Sequence, residues 1–314
     1  MSQAASRAIR SDLAQLRTEQ TDPRYAEIDR LPTAQLAALM NEADASVPAA
    51  VAAAIPALVP AIDAIVERLA AGGRLLYVGA GTPGRIGLLD AAECPPTFGT
   101  DPEIVQGIIA GGNTAITRAV EGVEDDEDAG VADLAERNVG AGDAVLGLTA
   151  SGRTPYVLSA LAEARRRGAV TVGLSCNADA ELSNVVEFPV EVAVGPEFIA
   201  GSTRLKAGTA QKLVLNMIST ISMVRLGKTH GNLMVDLVAT NEKLQARAIR
   251  MVQEITGSTA EAAETALNAA GRHVKTAVVM IERSTDAVTA RALIEAGQGR
   301  LGAALTAPLP AQRS

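Results

Sequence analysis

Apolar positions along this chain follow two regimes. Residues 32–40 and 50–69 space them as helices do, with Pro48, Pro56 and Pro60 predicting breaks and Ala71-Gly72-Gly73 a stop. From residue 74 the pattern changes to short, mostly apolar β-type runs at 74–78, 104–110, 144–148, 170–174 and 185–194. Helical spacing returns between them: from the glycine turn after residue 78 through residue 89, at 114–120, from near Glu124, and at 155–167. Mostly apolar strands alternating with helices predict an α/β fold, a doubly wound parallel sheet flanked by helices. Residues 203–252 read as long helices broken at 227–231. From about residue 256 shorter helical patterns predict a small C-terminal helical subdomain, opened by a capping box at Ser258 and Glu261. The expected organisation is an N-terminal arm at 1–30, a main domain at 31–253 and the small subdomain at 254–314.

Composition narrows the reading. The chain has 314 residues, 48% of them hydrophobic but only 2% aromatic, which suits a core of small and β-branched side chains. Its formal net charge of −8 argues against a nucleic-acid partner. A small anion remains possible, because helix N-termini and backbone N–H groups bind one locally. Cys94 and Cys176 have neither zinc spacing nor the number for a disulfide framework, so a reducing, cytoplasmic setting is expected. The polar start is no signal peptide. The apolar stretch at 45–71 carries Asp63, Glu67, Arg68 and three prolines, and reads as soluble helices rather than a membrane span.

Three loops could carry chemistry. Gly79-Ala80-Gly81-Thr82-Pro83-Gly84 follows a strand and opens a helix. It fits G-x-G-x-x-G, but the next strand ends Ala110-Gly111-Gly112-Asn113, without the carboxylate a dinucleotide ribose needs. The remaining readings are an anion loop presenting Gly81 and Thr82, or a tight turn with no ligand. Ser151-Gly152-Arg153-Thr154 again joins a strand to a helix, either as a second ligand loop or as ordinary N-capping. Ser202, Thr203 and Lys206 gather hydroxyls and a cation at the start of a long helix, where a capped end with solvated charges is equally open. Among the carboxylates, Glu93 precedes Pro95, which is expected to end its helix. Glu121 and Glu124 would share one face of a helix. The run from Asp125 to Asp128 suits a helix N-terminus. His230 and His273 show no ligand spacing, so no metal site is expected, and Cys94 reads as a buried small hydrophobe.

Taken together these residues resemble the N-acetylmuramic acid 6-phosphate etherase family, within the sugar isomerase (SIS) superfamily. The resemblance runs over about residues 27–298. Its most specific stretches are Asp90-Ala91-Ala92-Glu93-Cys94-Pro95-Pro96-Thr97-Phe98, Ala150-Ser151-Gly152-Arg153-Thr154-Pro155-Tyr156, residues 205–217 and Gly231-Asn232-Leu233-Met234-Val235-Asp236. It implies cleavage of the D-lactyl ether of a phosphorylated amino sugar, in cell-wall recycling, by a homodimer without metal or cofactor. It also implies Glu93 as proton donor to the leaving lactate and Glu124 as its acid–base partner. The phosphate loops fall on Thr82 and on Ser151, Gly152 and Thr154. Glu121 matches a ligand-contacting position in glucokinase regulatory protein, a relative of the same architecture that binds sugar phosphates without turning them over. A non-catalytic regulator of that kind is the alternative reading, and an aldose–ketose isomerase of the same fold a third. One departure stands out: Pro83 replaces the serine usual in the family, removing a hydroxyl and an N–H, so weaker phosphate binding is expected, or compensation by Thr82, Ser202 or Thr203.

Overall fold

The computed structural model describes residues 16–236 and 242–309. The expected arm before residue 16 lies outside the described residues, as do 310–314 of the expected subdomain. The chain divides into two compact units, one of residues 16–92 and Pro102–Ser219, the other of Glu93–Asp101 and residues 220–309.

The first unit is built on β1 (Leu75–Gly79), β2 (Val105–Ile109), β3 (Ala144–Leu148), β4 (Val170–Ser175) and β5 (Phe188–Glu191). They form one parallel sheet in the order β2-β1-β3-β4-β5. Every residue of β1, β3 and β4 is buried, as the mostly apolar runs suggest for strands covered on both faces. The doubly wound parallel sheet expected from the sequence is therefore present. Strand order reverses between β1 and β3, and the carboxyl ends beside such a reversal are where open α/β sheets bind ligands. The fifth strand is shorter than its apolar run. Residues 181–184 turn as a 3-10 segment, and Pro189 confines β5 to the sheet edge, where its missing N–H costs no ladder bond.

The flanking helices are α1 (Thr33–Asp44), α2 (Val47–Ala70), α3 (Gly81–Phe98), α4 (Gly112–Thr117), α5 (Glu127–Glu136), α6 (Pro155–Arg166) and α7 (Lys206–Arg225). On one face Leu134 of α5 and Val157 and Leu161 of α6 pack with Leu76, Val78 and Val145. On the other, α3 comes so close that a Cβ at Gly87 would lie 3.0 Å from both Tyr77 and Leu148. Helix α2 lies against β3, β4 and β5 and buries Val51, Leu58, Ile62 and Ile65. By length and composition the stretch Thr33–Ala70 could cross a bilayer. Its buried stripe instead serves the sheet.

Of the expected proline breaks, the one at Pro48 occurs, between the end of α1 at Asp44 and the start of α2 at Val47, whereas those at Pro56 and Pro60 do not. Pro56 and Pro60 lie inside α2 on its exposed side, as does Ala52, so water can reach the carbonyls whose helical bonds are missing. Likewise α3 does not end before Pro95. It continues through Pro95 and Pro96 to Phe98, with Cys94 and Phe98 buried one turn apart as anchors.

The second unit contains α8 (Glu242–Thr256), α9 (Ala260–Ala269), α10 (Val274–Arg283), α11 (Ala287–Ala296) and α12 (Leu301–Thr306). Met251, Val252, Ala263, Leu267, Val278 and Leu293 share its core, so the boundary expected after residue 253 falls within α8. The expected capping box gives way to a simple N-cap, with Ala262 and not Glu261 three residues on from the cap. Thr259, not Ser258, caps α9 by accepting from the Ala262 N–H, because Ser258 is engaged with the Thr256 hydroxyl at the end of α8.

Candidate functional site

Strand β1 delivers the first glycine loop to the carboxyl edge. Gly81 has φ +58°, and a Cβ at Gly79 would lie 2.7 Å from the Gly84 nitrogen. The turn therefore closes only with glycine, and it leaves Thr82 partly exposed in the first turn of α3. Pro83 is buried in that same turn, where an N–H has no intrahelical acceptor in any case. A Cβ at Gly208 would lie 3.5 Å from the Thr82 methyl and 3.5 Å from the Thr203 carbonyl oxygen. The first and third candidate loops thus meet around Gly208.

Strand β3, beside β1, delivers the second loop. Here sequence reasoning missed Thr149. Its hydroxyl is a hub, 2.7 Å from the Thr154 hydroxyl, 3.2 Å from that of Ser151, and an acceptor for the Gly152 N–H at 3.2 Å. The Ser151 hydroxyl also accepts the Arg153 N–H at 3.2 Å. Thr154 occupies the N-cap position of α6 without a side-chain cap bond, so ordinary capping does not account for its hydroxyl. Gly152, at φ +77°, is the only residue type that fits against Ala180 here, since a Cβ would sit 2.5 Å from the Ala180 methyl. The position of Thr149, first after an apolar strand run, was the available signal.

The third loop divides. Ser202 and Thr203 are partly exposed beside the other loops, whereas Lys206 is buried and its ammonium donates to the Val194 carbonyl at 2.7 Å. Burial lowers the Lys206 pKa, with Glu197 opposing the shift. Glu197, also missed from the sequence, is buried, and its carboxylate accepts the Lys206 and Ala207 N–H groups, each at 2.9 Å. Burial raises its pKa against these two bonds. It caps α7 from a distance and holds the loop in place.

The carboxylates are arranged differently from the expected helical face. Gly122, at φ +77°, separates Glu121 from a 3-10 turn at Val123–Asp125, so Glu121 and Glu124 do not share an α-helix. A Cβ at Gly111, just beyond β2, would lie 3.4 Å from Val123, which packs on the core. Val123 thereby fixes the exposed Glu124 near the carboxyl end of β2, next to β1. Arg85 of α3 braces the preceding segment through the carbonyls of Ala115 and Arg118, at 3.0 and 3.1 Å. Asp126 caps α5 by accepting the Ala129 N–H at 2.9 Å, as the acidic run suggested. Glu93 is exposed near the end of α3, between buried Asp90 and buried Cys94. Among the described residues no three His, Cys, Asp or Glu side chains gather as a metal site would need.

Comparison with known proteins places this geometry. The family model for the glucokinase regulatory protein N-terminal SIS domain matches residues 57–165, and that for the C-terminal lid domain of the same protein matches residues 231–296. Three bacterial relatives are each named N-acetylmuramic acid 6-phosphate etherase. That of Streptomyces avermitilis is 54% identical over 301 residues, covering 96% of this chain and 97% of its own. That of Rubrobacter xylanophilus is 56% identical over 288 residues, 92% of this chain and 96% of its own. That of Escherichia coli O1:K1 is 50% identical over 293 residues, 93% and 98% respectively. A phosphoheptose isomerase structure from Francisella tularensis covers 62% of this chain at 21% identity, with a TM-score of 0.48, and adds no weight. On the near full-length identity to these relatives, the chain belongs to the N-acetylmuramic acid 6-phosphate etherase family.

Proposed function

We propose that this enzyme cleaves the D-lactyl ether of N-acetylmuramic acid 6-phosphate, yielding N-acetylglucosamine 6-phosphate and D-lactate. The observation that carries the reading is identity of 50–56% over at least 92% of the chain to etherases. The loops at the β1/β3 reversal support it, since hydroxyls and helix N-termini at that edge suit a sugar phosphate.

The chemistry explains why two carboxyl groups are needed. An ether oxygen leaves poorly, but in the open-chain sugar the C1 aldehyde acidifies the C2 proton. A base removes that proton while an acid protonates the lactyl oxygen, and the C3–O bond breaks. The unsaturated aldehyde then adds water at C3, restoring a hydroxyl there. Glu93 is the proton donor to lactate and Glu124 its acid–base partner. Thr82, Ser151, Gly152, Thr154, Ser202 and Thr203 hold the phosphorylated sugar, and Glu121 contacts it. Remote binding of the phosphate fixes the reacting carbons. Lys206 acts by shaping its loop. The enzyme works as a cytoplasmic homodimer in peptidoglycan recycling.

Measuring D-lactate release by wild type, Glu93→Ala and Glu124→Ala tests this. Release by wild type, and its fall by at least about a hundredfold in variants that keep the wild-type melting temperature, is expected. Folded wild type that binds the sugar phosphate but releases no lactate would replace the enzyme with a non-catalytic regulator.

A further inference from the structure

We propose that Thr18 and Asn177 form a buried clip that sets the position of the sugar-phosphate loops, making Thr18 a positioning residue for substrate recognition. The inference rests on reading residues 149–154 as a phosphate loop. Thr18 is 0% exposed and Asn177 3%. Asn177 follows β4, the strand beside β3, and its amide nitrogen donates to the Ala150 carbonyl and to the Thr18 hydroxyl oxygen, each at 3.0 Å. Its amide oxygen accepts the Thr18 N–H at 3.3 Å. The Asn177 carbonyl in turn accepts the Ser175 hydroxyl at 3.0 Å, which fixes its backbone. Thr18 then passes the connection on, because its carbonyl accepts the Gly201 N–H at 3.1 Å, immediately before Ser202 and Thr203.

One pair of buried polar residues, 159 positions apart in sequence, thus bonds to the second loop at Ala150 and to the third at Gly201. Holding a surface segment in place requires only apolar contacts, which buried Leu16 and Tyr25 already supply. A buried side-chain amide is costly unless its bonds are made, and when they are made it fixes one register. The two loops it registers are those whose hydroxyls face the substrate, so loss of the clip is expected to loosen phosphate binding and leave the proton-transfer groups alone.

Thr18→Val keeps the side-chain shape and the backbone bonds but removes the hydroxyl acceptor. We expect it to raise KM for the sugar phosphate about three- to tenfold, and the inhibition constant of inorganic phosphate in parallel, with kcat within about twofold. Thr18→Ser restores the acceptor and is expected to return both constants toward wild type. Ser151→Ala serves as the comparator. If it raises KM while Thr18→Val leaves KM unchanged, the clip is refuted and the phosphate-loop reading stands. If neither variant moves KM or the phosphate constant, the loop reading fails and the clip with it. A Thr18→Val defect confined to kcat, or to melting temperature without rescue by serine, also overturns the proposal.

Discussion

Pro83 sits in the first turn of α3, where its missing N–H breaks no helical bond, so the fold accepts it without loss. The substrate is affected more than the fold. A serine there, as is usual in the family, adds a hydroxyl and an N–H beside Thr82. A hydrogen bond to a charged group contributes about 1.5–3 kcal/mol, so Pro83→Ser is expected to lower KM by about ten- to a hundredfold with kcat little changed. Steady-state kinetics on the phosphorylated sugar decide it, and an unchanged KM would mean that position 83 does not face the phosphate. Gly79 makes the opposite case. Its Cβ would meet the Gly84 backbone at 2.7 Å, so Gly79→Ala is expected to destabilise the protein by about 1–3 kcal/mol in urea unfolding. At this scale the sequence revealed hydroxyls and glycines, because strand-to-helix turns restrict which residue types fit. It did not reveal Lys206 as a buried structural cation. Its partner, the Val194 carbonyl, is a backbone atom that no residue pattern announces.

Proline marks the limit of legibility at the level of elements. A local rule predicts a break at Pro56, Pro60 and Pro95, yet α2 and α3 continue, because tertiary burial on one face outweighs a lost bond on the wet face. The strands, by contrast, were legible within a few residues, since strands buried on both faces read as short, mostly apolar runs bounded by glycine turns. Replacing Pro60 by alanine restores a donor toward the carbonyl of residue 56 on the exposed side of α2. It is expected to raise stability by about 1–3 kcal/mol in thermal unfolding, and a lower melting temperature would show that the ring itself packs against something. The amino ends of β1 and β3 are tied by charge. Arg74 donates to both oxygens of Asp143, at 2.9 and 2.8 Å, and the Gly140 N–H adds a bond at 3.0 Å. Burial opposes the Asp143 charge, but these donors hold its carboxyl below the usual carboxylate range. The folded value lies beneath the unfolded one, so this stabilisation is complete above about pH 4 and disappears as pH falls through the folded value. The wild-type melting temperature is therefore expected to drop more steeply below about pH 4 than that of Asp143→Asn. Parallel curves would remove Asp143 from the acid response.

Among the described residues one core lies beside the sheet and another among the C-terminal helices. The chain passes between the units inside α3 and again inside α7, so each unit owns part of a helix it shares. Helices propagate order along their length, which argues for unfolding as one cooperative transition. The second unit offers a place to test this. Lys275 is buried, and burial lowers its pKa against the pull of Asp236. Its ammonium lies 2.6 Å from the Asp236 carboxylate and donates to the Gly299 carbonyl at 2.6 Å, while Lys228 reaches the other Asp236 oxygen at 3.0 Å. Removing the partly exposed Asp236 strands the buried Lys275 ammonium, whereas an apolar replacement of that cation is milder. Asp236→Asn is expected to lower the denaturation midpoint much more than Lys275→Met. If the chain unfolds as one, the sheet's signal and the helical signal move together in Asp236→Asn. A biphasic curve, in which only the C-terminal helices melt early and the β-sheet signal keeps its wild-type midpoint, would show instead that the two units hold their stability separately despite the helices they share.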